Sequence, residues 1–119
     1  MPSKDEHLKK ARGNERFAKS LALTEQPWID WALTAMFYAA MHYIEAYLAT
    51  KGQHPKSHMT RDGFVGRESN LRRVFIDYQE LKMYGLNARY EMVPFKANDV
   101  TDHAAKSLEA IKMHIESLL

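Results

Sequence analysis

The stretch Trp28–Leu48, WIDWALTAMFYAAMHYIEAYL, is apolar around nearly its whole circumference and carries a histidine, His42, near its middle. A helix that is apolar on every side lies in the core of a protein or in a membrane. This stretch also contains Asp30, Glu45, several tyrosines and many alanines, which make it less hydrophobic than a typical membrane span. We therefore predict a helix buried in protein, at the centre of a helical bundle.

Composition sets further limits. The 119 residues, 45% of them hydrophobic, predict one domain over residues 1–119 with a substantial core. The absence of cysteine excludes disulfides, thiolate metal sites and cysteine nucleophiles. The first ten residues lack the apolar core of a signal peptide, so we expect a cytoplasmic protein with no membrane partner. The net charge of +2 is too small to attract nucleic acid by itself, so any basic surface must be local.

Helical periodicity dominates the rest of the chain, and no alternating pattern bounded by turns indicates a sheet. We predict an all-α fold, an up-and-down bundle of four principal helices plus a short extra helix. The methionines and tyrosines exceed what one small core is expected to hide. We therefore expect a homodimer.

Capping residues predict the bounds of the first two helices. The first is expected to begin near Ser3, which has capping-box spacing to Glu6. The second is expected to start at Pro27 and to end before Gly52. The side chains expected to point inward from the first helix are Leu8, Ala11, Phe17, Ala18 and Leu21.

Capping residues, glycine and proline also predict the bounds of the remaining helices. A short helix is expected from about Ser57, and a longer one over residues 69–84, ended by Gly85. A connection broken by Pro94 leads to a last helix capped by Asn98 or Asp99. Its apolar stripe is expected to comprise Val100, Ala104, Leu108, Ile111, Ile115 and Leu118.

His42 is the first candidate site residue. It shares a helix face with Tyr38 and with Glu45 or Ala46. Its neutral imidazole can donate one hydrogen bond and accept another. Buried polar groups need partners, so the simplest interpretation is a core histidine bonded to a tyrosine or a carboxylate. A catalytic or ligand-binding role is the alternative.

His54 and His58 form a second candidate. They are four residues apart and on a helix would present both imidazoles to one divalent metal, but Pro55 separates them at a helix start. The Glu-x-x-His pattern of di-iron bundles is absent. We therefore predict a polar loop that caps the next helix, with no metal and no cofactor.

The third candidate is a basic cluster after the second helix, offset by few acidic residues. With Arg89 and Tyr90 nearby in a bundle, it is suited to binding phosphate groups of RNA or of a nucleotide. Neighbouring aromatic side chains can stack on unpaired bases, whereas a merely solvated helix surface is the alternative. The cluster comprises Lys56, His58, Arg61, Arg67, Arg72 and Arg73.

The order of these elements and three stretches of sequence resemble the HEPN superfamily of small helical-bundle domains. The stretches are AMFYAAMHYIEAYLATKG over residues 35–52, KSHMTRDGF over residues 56–64, and NARY over residues 87–90. The resemblance implies a dimeric helical module, often associated with a nucleotidyltransferase or with antiphage and toxin-antitoxin systems. In many members it also implies a metal-independent endoribonuclease.

The catalytic signature of that superfamily is an arginine followed a few residues later by a histidine, at the start of the last long helix. Arg89 lies in a comparable region, but Pro94, Phe95 and Lys96 stand at the required distance from it. The next histidine is His103. The chain therefore departs from the superfamily at the residues that carry its chemistry.

From the sequence we expect a HEPN-like RNA-binding or RNA-processing protein. If it cleaves RNA, His42 or His58 transfers the proton and Arg61 or Arg89 stabilises charge on the phosphate. Lys56, Arg67, Arg72, Arg73 and Tyr90 would bind the RNA or nucleotide. One alternative is a noncatalytic module that dimerises or holds a nucleotidyltransferase or another protein. The other is a small-nucleotide sensor.

Overall fold

A computed structural model describes residues 1–90 and 92–119; Glu91, within the predicted connection around Pro94, lies outside the described residues. This described part is all-α, with five α-helices and no strand. A 3₁₀ segment, Ser69–Val74, leads into the fourth helix, and a π-helical segment, Asp99–Ala104, leads into the fifth. The helices are α1 Lys4–Ser20, α2 Gln26–Thr50, α3 His58–Arg67, α4 Phe75–Tyr90 and α5 Ala105–Leu118.

The central position predicted for the apolar stretch is confirmed. It forms α2, which contacts α1, α4 and α5, and almost every side chain from Ala32 to Leu48 is buried. The alanines on α2 let its neighbours approach closely, since Ala32, Ala39 and Ala40 are fully buried. No helix in the described ranges is long and apolar enough to cross a membrane.

Several predicted helix ends are confirmed. Ser3 caps α1 in a complete capping box with Glu6. Gly52 follows α2 with φ of 70°, a left-handed conformation that glycine adopts without steric cost. Ser57 caps α3 by accepting a hydrogen bond from the Thr60 N–H.

The prediction that Gly85 ends a helix is wrong. The helix α4 continues to Tyr90, and Gly85 is buried inside it. A Cβ atom at this position would lie 2.7 Å from the Cβ of Phe37, so the missing side chain lets α4 pack directly on α2. The same helix was predicted to start at Ser69, but residues 69–74 form a 3₁₀ segment and the α-helix begins at Phe75.

Two further expectations are corrected. Neither Asn98 nor Asp99 caps the last helix in the predicted way, because Asp99 instead accepts a hydrogen bond from the Lys96 N–H. Phe17 is about half exposed, and Glu15 takes the inward position on α1. The apolar stripe of the last helix is buried as predicted from Val100 to Ile115.

Glu15 is accommodated in the core by three partners. It accepts a hydrogen bond of 2.8 Å from the Tyr43 hydroxyl and one of 2.9 Å from the Lys19 ammonium. Lys112 on α5 lies 3.6 Å away. Burial raises the pKa of Glu15, but these hydrogen bonds and charges lower it more, so that its pKa lies below the ordinary value.

We expect Gly85→Ala to destabilise the protein, because the new methyl group overlaps Phe37 close to the backbone. Overpacking costs about 1–3 kcal/mol, which outweighs the gain of up to ~1 kcal/mol from the better helix former. Gly13→Ala is the matched control, since nothing lies within 4 Å of its added Cβ and it should stabilise the protein. Urea unfolding of the two variants checks this. Equal stability would contradict the close α2–α4 contact.

Glu15 should contribute to acid denaturation. Its folded pKa is depressed, so its stabilising contribution is present above the unfolded value of 4.5 and is lost as pH falls through the folded pKa. We expect Glu15→Gln to be less stable than wild type at pH 7 and to lose less stability below about pH 4.5. Chemical unfolding at several pH values measures how steeply the free energy of unfolding changes with pH. A variant with the wild-type slope would show that another carboxyl is responsible.

Candidate functional site

One face of α2 remains partly polar and lies near the surface. Tyr38, His42 and Glu45 are spaced by four and three residues, so they share this face. Each meets a different helix: Tyr38 meets Arg89 on α4, His42 meets His7 on α1, and Glu45 meets Arg61 on α3. This row is the candidate site.

His7, His42 and Glu45 form the centre of the row. The Nδ1 atoms of the two imidazoles are 3.1 Å apart. Glu45 Oε2 lies 3.4 Å from the Nδ1 of His7 and 3.7 Å from the Nδ1 of His42. The side chain of His7 is 9% exposed and that of His42 is 23% exposed, so the group opens to solvent at His42. Glu45 thus lies close to His42 but beyond hydrogen-bond distance, and the hydrogen-bond partner of His42 is a second histidine, His7, in place of the predicted tyrosine or carboxylate.

Arg61 holds the other oxygen of the same carboxylate. Its Nη2 and Nε donate hydrogen bonds of 2.7 and 3.0 Å to Glu45 Oε1, and the pair is buried. Its Nη1 donates to His58 Nδ1 at 3.1 Å, and the His58 ring stacks on Phe37. The guanidinium is therefore committed to groups within the protein.

The two central histidines favour the neutral form. Burial lowers the pKa of His7 and of His42 below the ordinary value of 6.5, and the charge of Glu45 offsets only part of this effect. In the neutral form each imidazole has one unprotonated nitrogen, which is the kind of nitrogen that accepts a proton or binds a metal.

An open groove of about 660 Å³ runs along α1 to this pair. Lys9, Lys10 and Arg16 line it, together with both histidines. Among the residues that the structure describes, Glu6 is the only acidic one in the lining, and its carboxylate accepts a hydrogen bond in the α1 capping box. The groove that contains His42 is therefore lined by more basic than acidic side chains.

A smaller cavity of about 230 Å³ reaches the same cluster on another side. It is lined by His7, Glu45, Gln53, His54 and Lys56, among others. The Oε1 atom of Gln53 is buried and has no hydrogen-bond partner among the described residues. An acceptor in this state calls for a donor from a bound molecule or water.

The other end of the row is aromatic. Arg89 donates a hydrogen bond to the Tyr38 hydroxyl, and its guanidinium lies 5.0 Å from the Tyr90 ring centre. Trp31, which is 54% exposed, lines a cavity with Arg89 and Tyr90. Arg89 is thus placed between aromatic rings.

The structure brings together only part of the predicted site. His42 joins His58 and Arg61 through Glu45, and Arg89 lies one turn along α2 at Tyr38. His54 lines the cavity beside His7, whereas the Nδ1 atom of His58 accepts a hydrogen bond from Arg61.

The basic cluster is dispersed. Lys56 lines the cavity beside Glu45, whereas Arg73 lines another one with Asp77 and His114. Arg67 stacks on Phe64, and Arg72 is exposed on the 3₁₀ segment. These four cations therefore do not line a single cavity.

The residues that α1 adds to the candidate site were not predicted from the sequence. His7 was identifiable, because it occupies the stripe that also contains Leu8, Ala11 and Ala18, where an apolar residue is expected. The basic side chains of the α1 groove carry no comparable signal, since exposed lysines are common on any helix.

Comparison with protein-family models, with curated proteins and with solved structures finds no match to this chain. The resemblance to the HEPN superfamily therefore rests on the order of the elements and the quoted stretches of sequence.

We expect Arg61→Met to destabilise the protein by about 3–5 kcal/mol, because it leaves the buried Glu45 carboxylate without its main partner. Arg72→Met is the control, since Arg72 is exposed and surface substitutions usually change stability by less than about 0.5 kcal/mol. Denaturant unfolding compares the two. Similar stabilities would show that the Arg61–Glu45 pair contributes little.

Proposed function

We propose that this protein is a HEPN-like RNA-binding protein that holds single-stranded RNA along the α1 groove and the polar face of α2. The observation that carries the proposal is a groove lined by Lys9, Lys10 and Arg16 together with His42, whose pKa is lowered by burial. Positive side chains in a groove attract the phosphate backbone without regard to sequence.

Aromatic side chains on the same face of α2 support binding of unpaired bases. Trp31, Tyr38 and His42 are spaced by seven and four residues, so they follow one face over about 16 Å. Trp31 and Tyr90 expose ring surface beside Arg89. Exposed rings next to cations are the usual means of recognising single-stranded RNA.

RNA cleavage is the catalytic form of this proposal. Neutral His42 would accept the proton of a 2′-hydroxyl as that oxygen attacks the adjacent phosphorus. The bond between phosphorus and the 5′ oxygen breaks, the 5′ oxygen leaves with a proton from water, and a 2′,3′-cyclic phosphate remains. Arg89, one helical turn away at Tyr38, would stabilise the charge that develops on the phosphate. Arg61, committed to Glu45, would act by positioning that carboxylate.

The test is salt-dependent binding of labelled single-stranded RNA by fluorescence anisotropy. The double variant Lys9→Ala, Lys10→Ala should bind more weakly, with a salt slope shallower by about 0.7 for each phosphate group that the variant no longer neutralises. The control is Lys96→Ala, Lys106→Ala, which removes two exposed lysines outside the groove. Gel analysis of the same samples reports cleavage. Absent binding, or equal weakening by both double variants, would refute the proposal.

A noncatalytic dimerisation module is the second candidate, and exposed apolar surface favours it. Trp28, Trp31, Tyr90 and Met92 are all exposed near the N-terminal end of α2 and the C-terminal end of α4. A cluster of such residues is typical of a protein contact. This function predicts a dimer in sedimentation analysis that Trp31→Ala dissociates, with no salt-dependent RNA affinity.

A further inference from the structure

The central cluster has the dimensions of a metal site. The three atoms that converge are His7 Nδ1, His42 Nδ1 and Glu45 Oε2, separated by 3.1, 3.4 and 3.7 Å. A tetrahedral zinc ion with bonds of about 2.0–2.1 Å holds its ligand atoms roughly 3.3 Å apart. The average separation in the cluster therefore matches that of three corners of a zinc tetrahedron.

The chemistry of the ligands also fits. Two imidazoles and one carboxylate form a ligand set that binds zinc at sites with an open position, and a related set binds ferrous iron. Both imidazoles would bind through Nδ1 as the neutral form that metals require. Three protein ligands leave the fourth corner for a water molecule or an anion.

The side chains around the three ligands also fit a metal site. Arg61 holds Glu45 Oε1 through two hydrogen bonds, which leaves Oε2 directed at the two histidines. Hydrogen bonds that orient a ligating carboxylate are the normal outer shell of a metal site. Gln53, whose buried Oε1 has no hydrogen-bond partner among the described residues, lines the same cavity as His7 and Glu45.

We propose that His7, His42 and Glu45 bind one zinc ion, with a fourth position open to water or to an anionic ligand. The site joins α1 to α2 across a sequence separation of 35 residues. It rests on the geometry of these three side chains and does not depend on RNA binding by the α1 groove. With zinc on its Nδ1 atom, His42 would carry its proton on Nε2, so the same residue could not also act as the base in RNA cleavage.

Isothermal titration of the chelator-treated full chain with Zn²⁺ alone tests the proposal. We expect saturation at one ion per chain for wild type. Loss of a hydrogen bond to a metal ligand already costs about 10–100-fold in affinity, so His7→Ala and His42→Ala should each lose at least that. His103→Ala, which removes an exposed histidine distant in sequence from the cluster, should bind like wild type.

Two results would overturn the proposal. One is a wild-type chain that does not saturate with Zn²⁺, as a purely structural hydrogen-bond network predicts. The other is binding that His58→Ala abolishes and His42→Ala leaves intact, which would place the ion at the HPKSH segment. Circular dichroism establishes that each variant is folded.

A measurement on wild type alone avoids variants that fail to fold. In ¹⁵N-labelled protein, Zn²⁺ should shift the imidazole nitrogen resonances of His7 and His42 and leave those of His103 unchanged. Unchanged His7 and His42 resonances at saturating Zn²⁺ would refute the site.

Discussion

The buried ion pair between Arg61 and Glu45 is the interaction on which the polar part of this structure depends. Because α2 is covered by other helices along most of its length, a carboxylate at its centre must be neutralised from within the protein. Arg61 does this through one oxygen, and the other oxygen then faces His7 and His42. The same contact ties the short helix α3 to the core. One side chain thus serves both the packing of α3 and the arrangement of the candidate site.

Much of the fold could be predicted from local signals. The apolar circumference of α2, the Ser3 capping box, the turn at Gly52 and the Ser57 cap each depend on residues within a few positions of one another, and each is found in the structure. Gly85 shows where such reasoning fails. Glycine commonly ends helices, yet here it serves a contact with Phe37, which lies 48 positions away and carries no local mark.

Only the part of the candidate site that has a local signal could be predicted from the sequence. His42 is identifiable because it interrupts an apolar helix, but its partner His7 belongs to another helix, and the pairing depends on how α1 crosses α2. The basic cluster was predicted from residues close in sequence, without the directions in which the segments between them turn. In the structure Lys56, which precedes α3, and Arg73, on the 3₁₀ segment, line different cavities.

The contact between Gly85 and Phe37 has a mechanical consequence. Two packed helices can shift along each other when the side chains at their contact can replace one another. At the contact between α4 and α2 this is not possible, because the backbone of Gly85 packs directly against the side chain of Phe37. Moving α4 by a turn, about 5.4 Å, would set Leu81 or Arg89 against Phe37, and neither fits a space shaped for glycine. The backbone of Arg89, one turn beyond Gly85 on α4, is therefore fixed in its position along α2. A ligand that engages Arg89 meets a guanidinium whose axial position is already determined.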